Sequence, residues 1–305
     1  MKLLQSRYRK NSTVTRLLLT CVIGIVATPV SSQKAKPSFD VTSIKPNTSD
    51  DGRVRLSTPG GSFSATNVTL RMLVQYAFRS GVTQLLESQL IGGPSWMDSA
   101  RFDVQGRLET GGPPLPAQQL QLMVQSLLEE RFRLKTHHET REMPIYNLII
   151  AKDGLKMKLS SDQTPTDGTG STVGGLPPRG TGRMSLGPAG ATMTAHAIPM
   201  ANVIGFLQGQ TDRIVVDKTG LKGLYDVQLR FSPEGGDFVP GGLGPPVGVG
   251  GPGNSMTGRD TPLTAGEPNP SIFTAVQKQL GLRLEPSKGR VQVIVIDSVQ
   301  KPSEN

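Results

Sequence analysis

Cysteine is almost missing from this chain: among 305 residues only Cys21 is one, and it lies in an apolar N-terminal stretch. Once that stretch is removed, disulfides, thiolate metal sites and cysteine nucleophiles are all excluded. Histidine is nearly as scarce, with His137, His138 and His196 the whole supply. The first two are adjacent, so on a strand they face opposite ways, and a zinc site needs three or four convergent ligands; no metal is expected. Aromatic residues make up only 5% of the chain while Gly and Pro number 36 and 24, which disfavours a compact 300-residue enzyme. After the N-terminus no apolar run reaches the 18 residues of a membrane-spanning helix, so an integral membrane domain beyond that segment is excluded. Walker spacing, Gly-x-Ser-x-Gly and Ser-x-x-Lys in a strand-turn-helix setting are also missing, and the sequence calls for no cofactor.

Residues 1–32 read as a secretory signal. Lys2, Arg7, Arg9, Lys10 and Arg16 precede an apolar stretch from Leu17 to Val30, with Val30 and Ser32 small enough for a cleavage site. Cleavage near Ser32 removes five cations and no anion, so the net charge falls from +9 to +4. No basic stripe interleaved with aromatics remains, which argues against nucleic acid as a partner. An exported chain without disulfides suits a bacterial envelope: the expectation is a periplasmic or extracellular protein, anchored to the membrane only if the segment stays uncleaved.

Composition then divides the chain. Residues 159–190 and 232–270 are rich in Gly and Pro, as is a short tether at Gly111 to Pro116; such segments bury too little apolar surface to offset the entropy of ordering. Between them, blocks correspond in pairs. Phe63 to Leu108 and Met193 to Phe231 each read helix, strand, strand, with Leu70, Leu73, Val74 and Ala77 or Val203, Ile204 and Leu207 at helical spacing. Each ends in a similar strand, Phe102-Asp103-Val104-Gln105-Gly106-Arg107 against Tyr225-Asp226-Val227-Gln228-Leu229-Arg230. Leu120 to Lys156 and Ile272 to Lys301 each read as a helix (Leu122, Val124, Leu127, Leu128; Phe273, Val276, Leu280), a polar turn and an apolar strand, Ile145 to Ile150 or Val291 to Ile296. Phe39 to Ile44 forms an added first strand. The expected fold is α+β: two similar halves, 37–158 and 191–302, each with helices packed on an antiparallel sheet, joined by the linker 159–190, the second carrying a disordered insertion at 232–270.

Several motifs resemble a known family. They are Phe39-Asp40-Val41 with Ser43-Ile44-Lys45-Pro46-Asn47, Gly92-Gly93-Pro94-Ser95-Trp96, Leu127-Leu128-Glu129-Glu130-Arg131-Phe132, Val216 to Asp226, and Val295-Ile296-Asp297 before Lys301-Pro302. Together they look like the expanded paralogous family of exported soil-acidobacterial proteins of unknown function. Some relatives in that family are fused to membrane metallopeptidases resembling the beta-lactam sensor type, although this chain has no His-Glu-x-x-His. The resemblance implies no assigned activity and no catalytic residue. Residues 193–231 are also similar to the short N-terminal domain of secretins and TonB-dependent receptors.

Three candidate residues stand out. Asp103 and Asp226, related by the internal match, would form a carboxylate dyad if they met across a pseudo-twofold axis; otherwise each satisfies a turn or an arginine in its own half. Trp96, the single tryptophan, either lines a binding groove or caps a small core. The sequence favours a non-enzymatic binding or interaction module of the bacterial envelope, taking an envelope protein or small ligand, with open sheet edges available for strand addition. The alternatives are a carboxylate-dependent hydrolase of peptide or glycan, and a sensor-associated domain partnering a membrane peptidase.

Overall fold

The computed structural model describes residues 36–49, 52–81, 83–108, 115–165, 175–187, 189–233 and 269–302. The expected signal segment with Cys21, residues 111–114 of the tether and residues 234–268 of the Gly/Pro-rich stretch lie outside the described residues.

The first part of the chain runs β1 (Val41–Pro46), β2 (Arg55–Ser57), β3 (Phe63–Thr69), α1 (Leu70–Ala77), β4 (Leu90–Ile91), α2 (Trp96–Ser99), β5 (Arg101–Arg107), α3 (Ala117–Arg131) and β6 (Lys135–Ile150). The second runs β7 (Lys158–Leu159), β8 (Thr181–Gly187), β9 (Gly190–Pro199), α4 (Met200–Gly209), β10 (Ile214–Asp217), β11 (Leu224–Phe231), α5 (Ile272–Ala275) and β12 (Leu282–Ser298); a π-helical turn at Val276–Leu280 extends α5. The fold is α+β and richer in sheet than in helix.

Local chemistry accounts for the helices. Thr69 caps α1, its hydroxyl accepting from the Met72 N–H at 3.2 Å, and Leu70, Leu73, Val74 and Ala77 form the buried stripe that the spacing predicts. In α3 the stripe is Leu120, Met123, Val124, Leu127 and Leu128. Leu122, expected on that face, is 40% exposed. It stands two residues from both Leu120 and Val124, about 200° round a helix of 3.6 residues per turn, and so points away from the core. The helix ends on Arg133 at φ 50°, with the Leu134 N–H returning to the Leu128 carbonyl at 3.2 Å; before β12 the same left-handed exit falls on Gly281, φ 67°.

Twelve strands make three four-stranded sheets among the described residues. The outer two follow one plan, β1-β5-β3-β2 and β7-β11-β9-β8. The third, β10-β6-β12-β4, draws on both parts of the chain: β6 and β12 pair antiparallel along their lengths, β10 lies parallel to β6, and β4 lies parallel to β12. Each part therefore supplies strands to the other's neighbourhood. Ile294 and Ile296 of β12 join the first core with Phe63, Leu73 and Phe132, while Tyr146 and Leu148 of β6 join the second with Leu207 and Phe231. This differs from two halves that each own their sheet.

Two further expectations change. The polar turn expected before Ile145 is strand, because Thr136 to Arg141 lie opposite Val291 to Ile296 in the ladder and the apolar partner carries the burial. The segment 159–190, expected to be a linker throughout, contains β8, which pairs with β9 from Thr181↔His196 to Gly187↔Gly190. Composition hid this strand: as a sheet edge, it buries little of its own surface.

Candidate ligand-binding site

Asp103 and Asp226 occupy corresponding places in the two outer sheets. In the first, Ala65 pairs with Val104 and Val68 with Phe102, so Thr66 and Asn67 together face Asp103. In the other, Ala195 pairs with Val227 and Ile198 with Tyr225, so His196 and Ala197 face Asp226. Each is a β-bulge, with two residues opposite one. The second residue of each bulge takes a left-handed backbone, φ 57° at Asn67 and 51° at Ala197. That turn aims its N–H at the aspartate: both Asn67 N and Ala197 N donate to Oδ1 at 2.9 Å. Asp103 Oδ1 also accepts from Asn47 Nδ2 at 2.7 Å, and His196 Nε2 lies 3.9 Å from Asp226 Oδ1. The two carboxylates thus stand in different sheets, each engaged with its own bulge rather than with the other. The sequence showed the repeated aspartate but not its partner, since Asn67 and Ala197 share only a backbone conformation.

The histidines are spread out. His137 and His138 are both exposed on β6, and His137 Nδ1 contacts Asp297 Oδ1 at 2.8 Å. Among the described residues no group of three or more His, Cys, Asp or Glu side chains is placed to hold a metal.

Trp96 sits where the Gly92-Gly93-Pro94 turn leads into α2. Gly92 and Gly93 take φ 81° and 88°, and a side chain at Gly93 would run into the Met97 sulfur at 2.5 Å, so the turn needs glycine. The half-buried indole packs edge-on against Phe102 at 6.5 Å, and Phe102 in turn against Phe132 at 5.4 Å. Lys301 Nζ lies 5.9 Å from the indole centroid. Trp96 therefore caps the first core, and the two residues it touches, Phe102 and Lys301, line a cavity.

That cavity, about 500 Å3, opens between the end of β1, the start of β5 and the last described residues; Ile44, Pro46, Asn47, Arg101, Phe102 and Lys301 line it. Ile44 and Phe102, both buried, are apolar members of its lining. Arg101 and Lys301 supply positive charge, with one Arg101 Nη donating to the Asn67 carbonyl at 3.2 Å. Among the described residues lining it, none is acidic. Neither Trp96 nor Asp103 lines it, but each touches a residue that does, Trp96 through Phe102 and Lys301 and Asp103 through its bond to Asn47, whereas Asp226 belongs to the other outer sheet. A wider concavity of about 640 Å3 sets Arg71 among Glu87 and Asp212. There the guanidinium is already committed to the Asp98 carboxylate and to the Leu90 and Gly92 carbonyls, so that hollow offers no free cation. Arg101 and Lys301 carry no signal in the sequence, since they lie 200 positions apart and share a lining only once the residues after β12 reach the start of β5.

A family model described as a protein of unknown function (DUF3738) matches residues 71–299. No curated protein and no solved structure matches the chain.

Proposed function

Since the chain belongs to the DUF3738 family, whose description carries no activity, the reading must come from the site, and we propose a binding module exported to the bacterial envelope that takes an anionic ligand with an apolar body. The observation that supports it is the cavity at the ends of β1 and β5, whose lining combines the cations Arg101 and Lys301 with the apolar Ile44 and Phe102 and holds no acid among the described residues. Ligand sites of this kind combine apolar walls with a few placed polar groups, and like-signed charge in a concave wall concentrates the opposite ion. Neither Asp103 nor Asp226 is paired with a second carboxylate, so the hydrolase alternative gains no site from them.

Calorimetric titration of the full chain with hexanoate and with hexanamide tests the reading. Saturable binding of the acid, at least tenfold weaker for the amide and abolished by Lys301→Glu, is expected; equal affinity for both ligands would overturn it. Export is tested by fractionating bacteria that express the full chain, and recovery in the cytoplasm would refute it.

A further inference from the structure

The cavity opens at the end of an edge strand, and we propose that it holds the C-terminal carboxylate of an extended peptide whose preceding residues add to β1 as a further strand. This rests on the anion-binding reading above. β1 closes the sheet β1-β5-β3-β2 and, among the described residues, pairs only with β5, so its outer side offers the main-chain groups that strand addition uses. Pro46 ends it: with no N–H, proline cannot carry a ladder onward, and the cavity begins at Pro46 and Asn47. A peptide on that edge would therefore reach the hollow with its terminal residue.

Charge and shape select the carboxyl end. Lys45 on β1 is exposed beside Pro46, Arg101 and Lys301 line the cavity, and the Asp103 Oδ1 nearby already accepts from Asn47 and Asn67. A chain terminus carries one negative charge directly beside one side chain, which matches a lining that holds both cations and the apolar Ile44 and Phe102. Because β1 runs toward the cavity and the peptide's C-terminus must enter it, the added strand lies parallel to β1. At about 3.3 Å per residue the six residues of β1 accommodate a peptide of similar length.

The test uses the full chain, with Trp96 emission as reporter, and five probes: a hexapeptide of alternating Thr and Val with a free carboxyl end, its C-terminal amide, its analogue N-methylated at alternate amides, hexanoate, and inorganic phosphate. The expected result is saturable binding of the free acid, weakened at least tenfold by amidation and at least tenfold by N-methylation. Lys301→Gln, a change at an exposed side chain, should weaken the free acid more than the amide. Hexanoate binding as tightly as the peptide would overturn strand addition while leaving the anion cavity standing. Phosphate binding in preference to every carboxylate would overturn the terminus as ligand. No saturable binding by any probe would overturn both the peptide reading and the anion cavity.

Discussion

Asp103 and Asp226 attract a catalytic reading because carboxylates so often do chemistry, yet what each does here is accept a backbone N–H that a bulge has turned out of the ladder. An unpaired N–H at Ala197, a fully buried residue, has nowhere else to go. Replacing either aspartate with alanine should therefore cost about 1–2 kcal/mol in urea unfolding, and Asp→Asn, which keeps an acceptor, less than half of that. Asp162 lends itself to a pH test. The Thr164 N–H and hydroxyl donate to it at 2.9 and 2.7 Å and, with the positive charge of Arg179 and His196, hold its carboxyl below the ordinary range. A folded-state pKa lowered in this way stabilises the fold above the unfolded value of about 3.9, and that stabilisation is lost as pH falls through the folded value. Unfolding midpoints measured from pH 5 downward should fall less steeply in Asp162→Asn than in the native chain. At this scale the sequence was partly legible: it marked the paired aspartates and Trp96 as unusual, but a hydrogen bond to a left-handed backbone leaves no pattern of residue types.

The elements with strong periodicity were readable and those defined by their partners were not. α1 and α4, and the apolar ends of β6 and β12, announce themselves because their own side chains are buried. The polar stretch Lys135 to Glu142 does not, for its place in the sheet is set by the residues opposite it, and β8 is an edge whose side chains stay largely in water. The turn into β12 is a sharper case. At Gly281 a Cβ would strike the Gly154 carbonyl oxygen and come within 2.7 Å of the Lys156 nitrogen, on a backbone at φ 67°. Both obstacles are main chain, so neither can yield cheaply. Gly281→Ala should lower stability by at least about 2 kcal/mol in chemical denaturation. Gly289→Ala meets only the tip of Ile145, at 2.6 Å, a side chain able to change rotamer, and should cost about half as much or less.

At the scale of the whole molecule, the outer sheets match strand for strand while the central one is assembled by exchange, β4 lying on β12 and β10 on β6. The helices and apolar strands within each part were legible in sequence because periodicity is local; which strand pairs with which depends on contacts between distant segments, and those leave no such trace. Exchange has a mechanical consequence. Neither part of the chain can release its sheet without uncovering the other's core, since Ile294 and Ile296 lie in the first core and Tyr146 and Leu148 in the second. Trp96 reports on the first core alone, so its emission and far-ultraviolet circular dichroism should follow one and the same urea transition; separated midpoints would mean that the parts unfold independently. The ladder between β6 and β12 should also outlast the covalent link. With a protease site built in between Pro165 and Gly175, the cleaved chain is expected to elute as one species at the mass of the whole, because β6 and β12 remain paired from Lys135↔Ser298 to Ile150↔Leu282. Two peaks in native buffer would show that the linker, not the shared sheet, holds the parts together.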